Sequence, residues 1–91
     1  MEIFHDKDEQ KFYMKNRDIY AEICYSEAGK DTISIDHTWV DEEYKGKGLG
    51  KMLMDELAGF VRREHLKIIP VCPFIKVLVE RYPDEYQDLV K

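Results

Sequence analysis

Residues 43–51 read Glu43-Tyr44-Lys45-Gly46-Lys47-Gly48-Leu49-Gly50-Lys51, and this stretch decides the fold. Its three alternating glycines stand where the hydrophobic periodicity changes from that of strands to that of a helix. Glycine accepts positive φ and allows a ligand to approach the backbone closely. The first N–H groups of a helix lack internal partners, and together with the helix dipole they attract anions. The stretch therefore predicts a strand–loop–helix junction that holds a pyrophosphate, with Lys45, Lys47 and Lys51 adding positive charge.

Two other phosphate-binding loops do not fit this spacing. A Walker A loop needs glycine at position 45 and Ser or Thr after Lys51, whereas the chain has Lys45 and Met52 there. A dinucleotide-binding GxGxxG needs glycine at position 51 and follows the first strand of a βαβ unit. A tight connection fringed by solvated lysines, with no ligand, stays open as the structural alternative.

The chain before the loop predicts strands. Residues 11–15 are a short aromatic segment, and residues 16–18 are typical of a turn. Residues 19–26 alternate apolar with polar side chains, which indicates a half-buried strand, and residues 27–31 form a second turn. The β-branched segment 32–40 follows. Because short turns join successive antiparallel strands, these segments predict an antiparallel meander.

The period after the loop is helical. Leu49, Leu53 and Leu57 recur every four residues. We assign three further side chains to the same apolar stripe: Met52, Phe60 and Val61. This spacing predicts an amphipathic helix of about four turns whose apolar stripe packs on the core.

The remainder predicts one more strand and more helix. Residues 67–72 indicate a short buried strand, and a strand–helix–strand unit of this kind is usually right-handed and parallel. Pro73 suits the first position of a helix that Pro83 ends, and residues 84–91 indicate a last helical turn. The predicted fold is α+β, a single domain over 1–91. Its mixed sheet has the order β-β-β-α-β-α, an antiparallel meander followed by a parallel β-α-β crossover.

The charge, the apolar segments and the cysteines of the chain indicate which kinds of partner it can bind. The 91 residues carry a formal net charge of −5, which argues against nucleic acid and fits a cationic partner such as an amine or a basic peptide. We expect no membrane partner, because no run approaches the ~18 apolar residues of a bilayer span. Cys24 and Cys72 are far apart and form no CxxC pair, so no metal site is predicted. We expect two reduced thiols in a cytoplasmic protein without a signal peptide.

The glycine segment resembles a motif of a known family. Lys45–Gly50 is similar to the Gln/Arg-x-x-Gly-x-Gly/Ala motif of the GNAT superfamily of acyl-CoA-dependent N-acyltransferases, with Lys45 in the Gln/Arg position. The likeness extends over nearly the whole chain to the small stand-alone, YjdJ-type branch of that superfamily. It is carried by residues 37–40, 44–50, 69–74, 82–86 and 89–90. Phe74 and Tyr82 depart from the branch, which often has Tyr and His there.

The resemblance implies a cofactor and a reaction. The cofactor is acetyl-CoA or coenzyme A, with the loop amides on its pyrophosphate and the preceding strand along its pantetheine arm. The implied cofactor-binding residues are Thr38, Trp39, Val40, Lys45, Gly46, Lys47, Gly48, Leu49, Gly50 and Lys51. The implied reaction moves an acetyl group to an amine: a protein lysine, an N-terminus or a small amine. Two alternatives stay open, a non-catalytic CoA-binding or protein-interaction module with a degenerate acceptor site, and a phosphate-binding domain outside the superfamily.

Two residues are candidates for the chemistry. Cys72 ends a strand directly before Pro73, hence at a helix N-terminus, where thiols are often reactive. The resemblance implies that this cysteine lies near the CoA thiol, where it could assist the leaving group or accept the acetyl group transiently; a small buried residue is the alternative. His37 is a candidate base because histidine titrates near neutrality. Its alternation with Ile35 and Trp39 predicts the core side, where it could equally be structural.

Overall fold

Five strands form one sheet in chain order in the computed structural model, which describes residues 2–91. The first four strands pair antiparallel, and the fifth pairs parallel with the fourth. Their bounds are β1 Phe4–Asp6, β2 Lys11–Lys15, β3 Ile19–Gly29, β4 Thr32–Val40 and β5 Lys67–Pro70. The predicted α+β fold, with its meander and its parallel crossover, is confirmed.

The helices follow the predicted order. They are α1 Leu49–Arg63, α2 Pro73–Arg81 and α3 Pro83–Tyr86, with short 3-10 turns at Glu42–Tyr44 and Gln87–Leu89. Pro73 is the first residue of α2, as predicted, whereas Pro83 opens α3 after α2 has ended at Arg81. None of these helices is both long enough and apolar enough to cross a bilayer, over the part of the chain that the structure describes.

The core lies between the sheet and α1. The α1 side chains Leu53, Met54 and Leu57 are fully buried, and the inward-facing side chains of β2, β3 and β4 meet them. Met52 was assigned to this stripe wrongly: it is 39% exposed, while Met54 points inward. The two methionines lie two positions apart on a helix, so they face different sides.

The short strand β1 was not predicted. Two of its three residues carry rings. Phe4 stacks on Tyr13 at 5.4 Å. His5 stacks on Phe12 at 3.9 Å and meets the edge of Phe60 at 4.6 Å. The His5 Nε2 lies 2.6 Å from the Tyr25 hydroxyl. Burial lowers the pKa of His5, and the charges of Lys7 and Arg63 act in the same direction. Two aromatic stacks, one at Phe4 and one at His5, therefore help to hold this edge strand.

Low pH should weaken the packing of His5, and with it that of β1, against the rest of the domain. The unfolded chain binds a proton at His5 near pH 6.5, and the folded chain binds it only at lower pH. The free energy of unfolding should therefore fall as pH drops below about 6.5, by less than about 1.4 kcal/mol per pH unit from this one proton. His5→Phe keeps a ring and removes the proton site, so denaturant melts between pH 7 and 5 should give the variant a shallower slope. Equal slopes would contradict this role of His5.

A bulge in β4 decides which side chains face the core. Cys24 pairs with His37, but its neighbour Tyr25 pairs with Ile35, so Asp36 is an extra residue. Because side chains alternate along a strand, one extra residue moves every later side chain to the other face. Thr38 turns inward opposite buried Ile23. The prediction that His37 shares the core side with Ile35 is therefore wrong.

Candidate functional site

The strand β5 pairs with only the first part of β4. Pairing of β4 with β5 ends at Ile35 and Pro70. The N–H groups of Val71 and Cys72 then both donate to the Ile35 carbonyl, at 3.2 and 2.9 Å. Beyond this point the chain enters α2, while β4 runs on to Val40 without a β5 partner. One edge of the last part of β4 is therefore free to receive a ligand.

A groove of about 530 Å³ opens at this separation. Its walls are the glycine loop and the start of α1 on one side and α2 on the other, with the end of β4 between them. It is lined by Thr38, Val40, Tyr44, Lys45, Gly46, Gly48, Leu49, Gly50, Lys51, Phe74, Leu78, Arg81 and Tyr82. The structure thus brings eight of the ten predicted cofactor-binding residues to one cavity; Trp39 and Lys47 are not among its lining residues.

The glycine loop has the geometry that an anion site requires. Gly46 and Gly48 have φ values of 80° and 75°, and a Cβ on either would meet no protein atom within 4 Å. Gly48 precedes α1, and the first helical bond runs from the Met52 N–H to the Gly48 carbonyl at 3.1 Å. The amides of residues 49–51 come before that bond and have no partner within the helix. This end of the groove therefore has glycines with positive φ and backbone N–H groups that an anion can reach.

Gly50 has a different role from the other two glycines. A Cβ on Gly50 would lie 2.6 Å from the ring of Phe74, which is closer than carbon atoms approach. Gly50 is buried, and its φ is not in the positive range. The absence of a side chain therefore lets the first turn of α2 pack against the first turn of α1, with the Phe74 ring as part of the groove wall.

The loop lysines are engaged by the protein itself. Lys45 pairs with Glu42 at 3.0 Å, and the Lys47 ammonium lies 5.5 Å from the centre of the Tyr44 ring. Lys51 binds Glu85 at 2.9 Å and Asp55 at 3.2 Å. These contacts, Glu85 first, raise the pKa of Lys51, so it stays charged. Lys51 joins α1 to α3; that it also holds a phosphate stays a prediction.

The same contacts anchor the C-terminal segment. Tyr86 in α3 is 1% exposed and donates its hydroxyl hydrogen bond to Asp55 in α1. Burial and the Asp55 carboxylate raise the pKa of Tyr86 to about 12. The Lys51 ammonium lies 5.4 Å from the Tyr86 ring centre and 4.8 Å from that of Tyr82. The start of α1, and with it the glycine loop, is therefore held by α3.

The two candidate catalytic residues lie on different faces of the sheet. Cys72 is buried at the start of α2, and its Sγ lies 3.5 Å from the Thr38 Oγ1, which lines the groove. His37 and Trp39 follow the bulge and are exposed on the face that no helix covers. Cys72 therefore contacts a lining residue of the groove without being one itself, and His37 lies on the opposite face. Over residues 2–91, no three His, Cys, Asp or Glu side chains lie close enough to hold a metal ion.

Three residues of α2 and its end line the groove and were not predicted as binding residues. Leu78, Arg81 and Tyr82 line the groove, and their spacing of three and four residues puts them on one side of a helix. The sequence shows this spacing, but the same spacing is also typical of side chains that pack on the core. Tyr44 belongs to the predicted loop but was not named as a binding residue; its ring stacks on Tyr20 with centres 4.1 Å apart, which fixes it beside the glycines.

The similarity of the chain to known proteins identifies its family. The family described as GCN5-related N-acetyl-transferase matches residues 11–89. The chain belongs to the GCN5-related N-acetyl-transferase family. Membership makes it an acetyltransferase, so the predictions of a small GNAT domain and of an enzyme are confirmed.

Relatives within the family cover most of the chain. Protein NATD1 of Danio rerio is 31% identical over 85 residues, which are 91% of this chain and 77% of the relative. Protein NATD1 of Homo sapiens is 30% identical, over 87% of this chain and 72% of the relative. The solution structure of a GCN5-like protein from Staphylococcus aureus has a TM-score of 0.81 at 38% identity, over 99% of this chain and 87% of that one.

A more distant structure shows the shared fold alone. Tetrahymena GCN5 has a TM-score of 0.62 at 9% identity, covering 82% of this chain and 48% of that one. Most of this chain therefore shares its fold with about half of that larger chain.

Proposed function

We propose that the protein transfers an acetyl group from acetyl-CoA to an amine. The groove carries the proposal: it joins an anion site at Gly46 and Gly48 to the free edge of β4, where the lining residue Thr38 contacts Cys72. A pyrophosphate suits the free amides of the loop. The amide-containing pantetheine arm suits the unpaired backbone edge of β4, because amides pair with a strand edge as another strand would.

The thioester end of such a ligand would lie near Cys72. Thr38 lies on the groove side of β4, and its hydroxyl is within 3.5 Å of the Cys72 sulfur. When the amine attacks the carbonyl carbon, the C–S bond breaks and the CoA sulfur leaves as a thiolate. The Cys72 thiol is a proton donor positioned for that thiolate, with Thr38 orienting it. Phe74 has no hydroxyl for this task, and we assign it to the Cys72 thiol because that thiol contacts Thr38 on the groove wall.

The amine would approach from the uncovered face of the sheet. His37 is exposed there, two residues from the point where β4 and β5 separate. An amine must lose a proton before or during the attack, and His37 can accept it from this side. A protein lysine, an N-terminus or a small amine would each reach an open face. The acidic chain, with net charge −5, favours a cationic acceptor of this kind.

Replacement of Cys72 should separate chemistry from binding. In Cys72→Ala the kcat should fall by about 10²-fold, the lower range for loss of a general acid, while the affinity for CoA should change by no more than about threefold. Stopped-time assays of acetyl transfer and calorimetric titration give the two quantities. Thr38→Val is the matched variant, since it keeps the thiol and removes its hydroxyl neighbour. Unchanged turnover in Cys72→Ala would mean that Cys72 is only a packing residue and takes no part in the reaction.

A transfer assay tests the proposed reaction itself. Acetyl-CoA is incubated with a lysine peptide, a peptide with a free N-terminus or a polyamine, and released CoA thiol is measured against reactions without an acceptor. Acceptor-dependent release supports the proposal. CoA binding with no transfer to any of these amines favours the alternative of a non-catalytic CoA-binding module, for which the missing hydroxyl at Phe74 is the supporting observation.

A further inference from the structure

Arg81 is a cation of the groove that no carboxylate within residues 2–91 engages. It is the last residue of α2, it is exposed, and it lines the groove. Over residues 2–91 its guanidinium takes part in no ion pair, whereas Lys45 and Lys51 of the same groove are paired with Glu42 and Glu85. A free guanidinium binds a phosphate through two parallel hydrogen bonds, which a lysine cannot reproduce.

The position of Arg81 is beside the loop but outside it. Its neighbour Tyr82 lies under the Lys51 ammonium, with 4.8 Å between the ammonium and the ring centre. Lys51 belongs to the first turn of α1 and carries the last of the free amides of residues 49–51. The end of α2 therefore lies close to the anion site, on a separate wall of the groove. One ligand that reaches both walls needs a phosphoryl group in addition to the pair held by the loop.

We propose that Arg81 binds the 3′-phosphate of coenzyme A while the glycine loop binds the pyrophosphate. The inference rests on the proposed function, because it assumes a CoA donor. It makes Arg81 a specificity-determining residue that separates CoA from nucleotides with a pyrophosphate and no 3′-phosphate. A chain with net charge −5 repels a polyanion, so a local cation at this position also has a measurable effect on affinity.

The test is a calorimetric titration with two ligands, CoA and 3′-dephospho-CoA, at low salt. We expect the wild-type protein to bind CoA about tenfold more tightly than the dephospho form, as one charge-assisted phosphate contact provides. Arg81→Gln should weaken CoA binding by about tenfold, leave dephospho-CoA binding unchanged and bring the ratio close to one. Arg81→Lys should give an intermediate ratio, since it keeps the charge and loses the planar fork.

Lys76→Gln is the matched control. Lys76 is exposed on the same helix and does not line the groove, so its loss removes one charge and should leave the ratio at the wild-type value. A wild-type ratio near one, or a ratio that Arg81→Gln leaves unchanged, would overturn the role of Arg81 and leave the CoA assignment intact. If the wild-type protein bound neither ligand, the proposed donor itself would fail, and the inference with it.

Discussion

Gly48→Trp should abolish CoA binding, with at least about a 100-fold loss of affinity. Gly48 lines the groove, has a φ of 75°, and has open space where a Cβ would point. An indole there would occupy the space of the pyrophosphate and keep it away from the amides of α1. The strained φ should also cost about 1–2 kcal/mol of folding free energy. Calorimetry gives the affinity, and circular dichroism melts show that the variant is folded.

Gly48 is a better site for this test than Gly50. A side chain at Gly50 would collide with Phe74, so a lost affinity there would mix blocked binding with disturbed packing. Arg17→Trp is the control, because Arg17 is exposed in the turn between β2 and β3 and does not line the groove. It adds the same ring elsewhere and should bind CoA as the wild type does. Wild-type affinity in folded Gly48→Trp would remove the loop from the donor site.

Tyr86→Ala should cause the largest loss of stability. Tyr86 is 1% exposed, and its removal leaves a cavity between α3 and α1 as well as a lost contact with Tyr82. Truncation of a buried aromatic ring typically costs about 3–5 kcal/mol. For a domain of this size, that should lower the melting temperature by at least about 12 °C. Differential scanning calorimetry measures the shift.

Tyr86→Phe is the matched control, since it keeps the ring and removes only the hydroxyl bonded to Asp55. Asp55 is 48% exposed at its side chain, so water can replace the lost partner. The cost should be about 1 kcal/mol. A loss in Tyr86→Ala no larger than in Tyr86→Phe would mean that the ring does not anchor α3, and the account of how the C-terminal segment holds α1 would be wrong.

The elements with strong periodicity were predictable from the sequence. The alternation in residues 19–26 and the four-residue spacing of Leu49, Leu53 and Leu57 each admit one interpretation, and the structure agrees with both. The strand β1 was not predictable in this way, since its three residues are too few for a period and it is held by the stacking of Phe4 and His5 on β2.

The site was predictable only where the local sequence determines it. The glycines fix the turn and the free amides within residues 46–51, so the loop could be located in advance. The facing of His37 depends on the bulge at Asp36, which arises from pairing with β3 and leaves no mark in the strand's own sequence. Likewise, the pairing of Lys51 with Glu85 joins residues far apart in the chain, so its loop position alone suggested a phosphate contact.

Calorimetric titration of the wild-type protein with acetyl-CoA, CoA and ATP in parallel tests the central claim most directly. The account predicts saturable binding of acetyl-CoA and CoA at one site per chain, and no comparable binding of ATP, which has phosphates but no pantetheine arm for the free edge of β4. Equal binding of ATP would assign the groove to phosphate recognition in general. No binding of either CoA species would contradict the account and reduce the glycine loop to a structural turn.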